Sequence, residues 1–259
     1  TIGTGGNAFA ALFTEEVTKK IYGSADAVIA GSGYPTGKAI EQEDGYFVTG
    51  EWKYCSGSTY ATTFTMNCFI ERDGGVTSEM ISCAVPAAYV EINEDWDAMG
   101  MKATASHTIR VQNVFVPKEY TFQLGKPKNN YMNVVATFPF TPFSETSFLS
   151  VCLGLTESYL DEATKVAQKK FAVHKSERHQ QLKKDIDGQR ARFLEVEQRF
   201  SNQLEGLWNE HVAGELSEEA LMQFSQMSTE SAAACLEMCH TIFRKMGMEA
   251  ILTSTRLNQ

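Results

Sequence analysis

The run Gly100-Met101-Lys102-Ala103-Thr104-Ala105-Ser106-His107 sets two hydroxyls, an ammonium and an imidazole among small or flexible neighbours. Gly100 and Ala105 keep the segment narrow, so Thr104 and Ser106 can approach a diphosphate or a ring edge closely, and Lys102 can supply positive charge. The same residues also suit a solvated polar loop. His107 has an ordinary pKa near neutrality, which makes it a candidate general base, although a lone His entering a strand is more often packed or exposed. Cys235 and Cys239 stand at i, i+4 with His240 beside them. Two thiolates do not make a zinc site, which needs four ligands or three plus water, so they are expected to be core thiols and no metal is expected.

The elements that must position these groups change character near Tyr131. From Tyr22 to Pro117 the chain shows β-branched and aromatic runs punctuated by glycine, with strands expected at 27–32, 38–43, 46–56, 62–71, 79–86 and 109–116. Asp44-Gly45 suits a type I′ hairpin, and Asp73-Gly74-Gly75 a second turn of that sort. Short strands at this spacing predict an antiparallel β-barrel or sandwich. Beyond Tyr131 the apolar period becomes helical. Phe148, Cys152, Leu155, Tyr159, Ala163, Val166 and Phe171 form one face. Leu182, Ile186, Phe193, Val196, Phe200, Leu204 and Leu207 form a second. A third helix is announced by Ser217 as N-cap, with Glu218 and Glu219 in its first turn, and stops at Gly247. Such long helices point to a bundle. Residues 7–22 read as the tail of a helix whose apolar face lacks a cover, which hints at an N-terminal partner domain. The expected class is therefore α+β, with residues 1–21 as the tail of an N-terminal helical domain, 22–130 as a central β domain, and 131–259 as a helical bundle truncated at its end.

Composition narrows the function classes. The 259 residues are 43% hydrophobic and 21% charged, ordinary for a globular protein with a sizeable core. A net charge of -9 argues against nucleic acid, which requires clustered Lys and Arg. No apolar run reaches the roughly 18 residues needed to span a bilayer. The six cysteines lie mostly in apolar stretches without a secreted-scaffold spacing, so a reducing, cytoplasmic setting is expected.

Two segments carry a family resemblance. Gly45-Tyr46-Phe47-Val48-Thr49-Gly50-Glu51-Trp52-Lys53-Tyr54-Cys55-Ser56-Gly57 resembles the strand of the acyl-CoA dehydrogenase superfamily that ends in a Ser or Thr against the flavin. Trp96-Asp97-Ala98-Met99-Gly100-Met101-Lys102-Ala103-Thr104-Ala105-Ser106-His107-Thr108, followed by Val111-Gln112-Asn113-Val114-Phe115-Val116-Pro117, resembles that superfamily's Gly-Met-Arg/Lys segment and exit strand. Within the superfamily, Gly31-Ser32-Gly33-Tyr34-Pro35-Thr36-Gly37-Lys38-Ala39 and the Ser56-Gly57 pair look more like the oxygenase components of two-component flavin-dependent monooxygenases than like true dehydrogenases.

The resemblance implies a cofactor, FAD or reduced FMN, and a set of contacts. Ser56 would sit beside the reactive N5 edge of the flavin ring, with Tyr54 and Cys55 presenting backbone to it. Lys102, Thr104 and Ser106 would line the cofactor cleft, Ser32 and Tyr34 would face the substrate, and Ser56 or His107 would be the candidates for a chemical role. Arg178 and His179 fall near the family's adenine-side contacts in a neighbouring subunit. The resemblance further implies a homotetramer, a separate flavin reductase, and a small aromatic or related substrate oxygenated with O2. Its alternatives are an FAD-dependent acyl-CoA dehydrogenase and a non-catalytic scaffold. The family's reactive base lies beyond a segment resembling Met246 to Gln259, so it is expected outside this sequence.

Overall fold

The computed structural model describes residues 6–130, 133–173 and 176–258. The chain divides into two compact units, Thr1–Phe140 and Thr141–Gln259.

The first unit is built on strands β1 (Ile29–Glu41), β2 (Gly45–Cys55), β3 (Thr63–Arg72), β4 (Gly75–Pro86), β5 (Glu91–Asn93), β6 (His107–Pro117) and β7 (Thr121–Phe122), joined in one sheet of order β5-β6-β2-β1-β3-β4-β7. The expected antiparallel barrel or sandwich is not what forms. The sheet is open and mixed, because β1 pairs with β2 antiparallel but with β3 parallel. The cause is the connection Ser56–Thr62, which carries the chain past the N-terminal end of β1 and lays β3 on its far side. Alternation within a strand reports which face is buried, and it is silent about which strand lies alongside.

Three local expectations also change. The strands expected at 27–32 and 38–43 are one strand, β1. Its pairing with β3 slips between Ser32↔Met66 and Gly37↔Cys68, and that irregular stretch absorbs Pro35, which regular pairing would exclude. Asp44 and Gly45 do not adopt the left-handed backbone of a type I′ turn. Gly45 is needed for space instead: a Cβ there would lie 2.4 Å from the Val116 carbonyl oxygen and 2.8 Å from the Phe115 ring. Asp73 and Gly74, with φ of 51° and 78°, do form the tight left-handed turn. Finally, the stretch read as a helix tail is a 3-10 turn, Ala8–Leu12, followed by α1 (Glu15–Tyr22), which Thr14 caps. Its apolar side is covered by the sheet: Leu12, Phe13, Val17 and Ile21 pack with Ile29, Ala84 and Phe122.

The main core of this unit centres on Trp52, fully buried, with Val48, Phe64, Met66, Cys68, Ile109 and Val111 around it. The Trp52 indole lies against Gly37 and Gly50, and its Nε1 donates to the Asn67 carbonyl at 2.9 Å.

A short helix, α2 (Asn133–Thr137), precedes the second unit, which holds the long helices α3 (Phe140–Val173), α4 (Glu177–Ala213) and α5 (Glu218–Met246), of 34, 37 and 29 residues. On α4 the expected residues Leu182, Ile186, Phe193, Phe200 and Leu207 are buried, and on α5 so are Phe224, Met227, Ser231, Cys235, Met238 and Ile242. The Ser217 cap accepts from Ala220 N at 3.1 Å, and Gly247 ends the helix at φ 66°. On α3 the expected face is displaced. Leu149, Leu153, Thr156, Leu160, Ala163 and Ala167 are buried, while Phe148 and Leu155 are 67% and 66% exposed. Apolar residues lie on more than one side of α3, so its period alone does not select a face. Ion pairs Arg192–Glu237 (2.7 Å), Arg199–Glu230 (3.0 Å) and Arg190–Asp161 (2.6 Å) tie the three helices along their exposed edges. No helix among the described residues is long and apolar enough to cross a membrane.

Candidate functional site

The seam between β2 and β6 builds the site. Their register passes from Trp52↔Ile109 to Cys55↔His107, so β2 holds one residue more than β6 over that interval. Tyr54 takes up the excess at φ 63°, a left-handed conformation that costs a non-glycine residue on the order of 1 kcal/mol or more. The bulge turns the side chains of Trp52 and Cys55 inward, both fully buried, and leaves the Tyr54 ring 70% exposed. That ring meets Trp96 edge-on, with centroids 6.4 Å apart.

Beyond the bulge, Gly57 at φ 82° starts a turn that docks on the segment 101–106, which is itself bent by Met101 (φ 55°) and Ala105 (φ 44°). Gly57 N donates to Thr104 O at 2.7 Å and Ser58 Oγ to Ala105 O at 2.7 Å. Across this junction Ser56 Oγ lies 2.7 Å from Ser106 Oγ, Ser106 Oγ lies 2.6 Å from Thr104 Oγ1, and Thr104 Oγ1 donates to Met101 O at 2.8 Å. Three hydroxyls from two segments distant in sequence thus form one chain. Ser106 is buried, Ser56 and Thr104 are half-buried, and Lys102 is exposed on the same turn.

His107 borders this cluster. Its Nδ1 accepts from the Trp96 backbone N–H at 3.0 Å, so its neutral ring carries the proton on Nε2. That nitrogen is not free to take a proton, which favours His107 as a positioning group over a base. Asp95 accepts from Thr108 N at 2.8 Å and from Thr108 Oγ1 at 2.6 Å, and the Thr108 hydroxyl and amide hold its carboxyl below the usual aspartate range. Trp96 Nε1 donates to Met101 O at 3.1 Å. Asp95, Trp96 and Thr108 therefore fix the segment that carries Thr104 and Ser106. The sequence offers Trp96 and Thr108 only as members of the resembling segment and does not bring Asp95 forward, because their partners are set by folding. Burial pushes the Cys55 thiol up to about 12, and its side chain is fully buried.

Ser32 and Tyr34 lie toward the N-terminal end of β1. The antiparallel register with β2, continued by Thr36 Oγ1 donating to Glu51 O at 2.5 Å, puts them at the same end of the sheet as Tyr54 and Ser56. No hydrogen bond among the described residues joins them to the hydroxyl chain. Tyr34 is 75% exposed and Gly33 has open space about it. A bracket holds this stretch: Asn67 Nδ2 donates to Gly33 O at 2.8 Å, while Asn67 Oδ1 accepts from Ser82 Oγ at 2.7 Å.

The second unit carries a separate feature, a cavity of about 1290 Å³ lined by Lys169, Arg178, His179, Asp185, Arg244 and Lys245 among others. Asp185 neutralises Lys245 at 2.6 Å. Lys169, Arg178 and Arg244 have no ion pair among the described residues and leave the cavity basic. The Cys235 and Cys239 thiols are raised by burial, and Cys239 Sγ lies 3.9 Å from Thr156 Oγ1.

No family model matches the chain. Over 245 residues it is 25% identical to the indole-3-acetate monooxygenase of Acinetobacter baumannii, which covers 93% of this chain and 63% of that protein. Over 108 residues, 41% of this chain and 28% of the relative, it is 30% identical to the flavin-dependent monooxygenase oxygenase subunit HsaA of Rhodococcus jostii. The structure superposes on the 3-HSA hydroxylase of Rhodococcus sp. RHA1 with a TM-score of 0.84 at 21% identity, over 99% of this chain and 69% of the other. For XiaF of a Streptomyces species, solved with FADH2 and glycerol, the TM-score is 0.85 at 17% identity, over 99% and 68%. The chain shares its fold with both of these proteins. The resemblance carried by the two sequence segments thus reappears both in the curated relatives and in the architecture, and the chain spans less than two thirds (63%) of the length of the first of those relatives.

Proposed function

We propose that this chain is part of a flavin-dependent monooxygenase that uses reduced FMN or FAD, supplied by a separate flavin reductase, to oxygenate a small aromatic or related substrate. When bound, the reduced flavin supplies the two electrons with which O2 is divided between the product and water. The chain's own residues bind, orient and shield. The observation that carries the reading is the hydroxyl chain Ser56–Ser106–Thr104, gathered by a strand bulge at Tyr54 and three further left-handed residues. Backbone strain of this kind persists where the surroundings impose it, and it concentrates at ligand sites.

The residues fit a flavin. Ser56 and its partners offer polar atoms to a ring edge, Tyr54 and Trp96 offer an aromatic wall, and Lys102 a nearby charge. Ser32 and Tyr34, on their bulge, are assigned to the substrate side. Cys55 takes part through its backbone, and His107 positions the Trp96 segment.

The organisation that goes with this reading makes the first unit, Thr1–Phe140, the flavin-binding part and the second, Thr141–Gln259, the bundle. The exposed apolar residues Phe148 and Leu155 on α3 support assembly, in a homotetramer. All six cysteines are free, which accords with a reducing, cytoplasmic setting.

The test is anaerobic titration of reduced FMN and FAD into the full-length protein, its Ser56→Ala and Ser106→Ala variants, and Ser78→Ala as an exposed control, with thermal melts alongside. The first two variants are expected to lose about tenfold to a hundredfold in affinity and the control nothing. Binding by neither cofactor, or equal binding by all variants, defeats the assignment.

A further inference from the structure

The hydroxyl chain has a direction. Each serine or threonine hydroxyl carries one proton and a carbonyl oxygen carries none. Thr104 Oγ1 spends its proton on the Met101 carbonyl at 2.8 Å. The 2.6 Å contact between Thr104 and Ser106 must then use the proton of Ser106, donated to Thr104. The 2.7 Å contact between Ser106 and Ser56 must in turn use the proton of Ser56, donated to Ser106. Three contacts consume three protons, and the series is anchored at one end by a group that can only accept. At the other end, Ser56 Oγ is left with lone pairs and no proton to offer.

The anchor is itself held. The Met101 carbonyl also receives Trp96 Nε1 at 3.1 Å and the Thr104 backbone N–H at 3.0 Å, and Met101 and Ala105 both sit in left-handed backbone that fixes the turn between them. Ser106 is buried, so water does not compete freely for its proton, while Ser56 is half-buried at the open end of the series. The polarity of Ser56 is therefore set by Thr104, a residue with which it makes no hydrogen bond.

We propose that Thr104 and Ser106 are positioning residues that hold the Ser56 hydroxyl as a hydrogen-bond acceptor, so that the site favours a ring nitrogen bearing a proton over the same nitrogen without one. This rests on the reading that Ser56 faces the N5 edge of a flavin. A reduced flavin carries a proton on N5 and can donate to Ser56. An oxidised flavin presents a lone pair there and meets another lone pair. Discrimination between the two redox states then comes from a proton fixed on Met101 O, two hydroxyls away from the ring.

Substitution at Thr104 tests this at a distance. Thr104→Val keeps the shape but removes the acceptor for the Ser106 proton. That proton turns to Ser56 Oγ, and the Ser56 proton turns outward, making Ser56 a donor. Thr104→Ser keeps the hydroxyl and should keep the polarity. The experiment measures Kd for oxidised and for reduced FMN and FAD, anaerobically, in the full-length parent, Thr104→Val, Thr104→Ser, Ser56→Ala and the Ser56→Ala/Thr104→Val double variant.

The ratio of oxidised to reduced Kd is expected to fall about tenfold or more in Thr104→Val, which lowers the midpoint potential of bound flavin by about 30 mV per tenfold. It is expected to stay at the parent value in Thr104→Ser. In the Ser56→Ala background, Thr104→Val should add no further change in the ratio, since the atom it acts through is gone. If Thr104→Val weakens both redox states equally, or shifts the ratio as strongly without Ser56 as with it, the relay is overturned while the flavin reading stands. If the parent binds flavin in neither state, the reading falls and the relay with it.

Discussion

Asn67 offers the sharpest test of how the sheet holds the substrate-side bulge. Its carboxamide is used on both sides: Nδ2 donates to Gly33 O at 2.8 Å and Oδ1 accepts from Ser82 Oγ at 2.7 Å, while its backbone oxygen receives the Trp52 indole. Asn67→Asp preserves the size and the Ser82 contact but puts a carboxylate oxygen where the amide donor stood. The Gly33 carbonyl then loses its hydrogen bond and faces negative charge. A lost hydrogen bond costs about 1 kcal/mol, and the unmatched oxygen pair raises this to about 1–3 kcal/mol in a half-exposed place. Because Gly33 has open space around it and Tyr34 is 75% exposed, little else restrains the bulge, and the cost is expected to appear there and not in the core. Ser82→Ala should reproduce a smaller share, since the donor to Gly33 remains but is less firmly aimed. Hydrogen–deuterium exchange over residues 31–38 reads the effect with no assumption about function. In an aromatic hydroxylation assay of the full-length protein the same loosening should raise KM about tenfold and leave flavin affinity as in the parent. Unchanged exchange across the bulge in Asn67→Asp would refute the bracket, whatever the kinetics show.

Two further outcomes follow from particular residues. Gly45→Ala is expected to destabilise the first unit by about 1–3 kcal/mol through overpacking, because its Cβ would lie 2.4 Å from the Val116 carbonyl oxygen, whereas Gly33→Ala, with nothing within 4 Å, should be close to neutral in the same urea melts. Asp95 has its pKa lowered by Thr108, so its contribution to holding the Trp96 segment is full above the ordinary aspartate range and is lost as pH falls through the lowered value. Trp96 emission should change over that acid interval in the parent, and Asp95→Asn should lack the transition.

Much of the architecture follows from local pattern. The switch of apolar period near Tyr131 separates strands from helices, and the Ser217 cap, the Gly247 stop and the Asp73-Gly74 turn are each local events that need only near neighbours in the chain. The residues with chemistry to offer are legible for the same reason. Ser56, Thr104, Ser106 and His107 are polar groups in short segments of small residues, and their types alone bring them forward. Type does not say what each can do. His107 reads as a base until Trp96 N occupies its Nδ1, and Cys55 reads as a contact until burial takes its side chain away.

What tertiary structure alone decides is which segments become neighbours and what each polar atom meets. The parallel pairing of β1 with β3 depends on where one connection crosses, and no alternation within either strand encodes it. The buried face of α3 is chosen by its partners among several apolar sides. The left-handed Tyr54 comes from a register slip against β6, a strand distant in sequence. The direction of the hydroxyl chain exists only once Met101 O, Thr104, Ser106 and Ser56 stand within hydrogen-bonding distance. Amino-acid types set which protons are available, and their order along the chain of hydroxyls is imposed by the fold, because a hydrogen bond's direction is settled by the partner that has no proton to give.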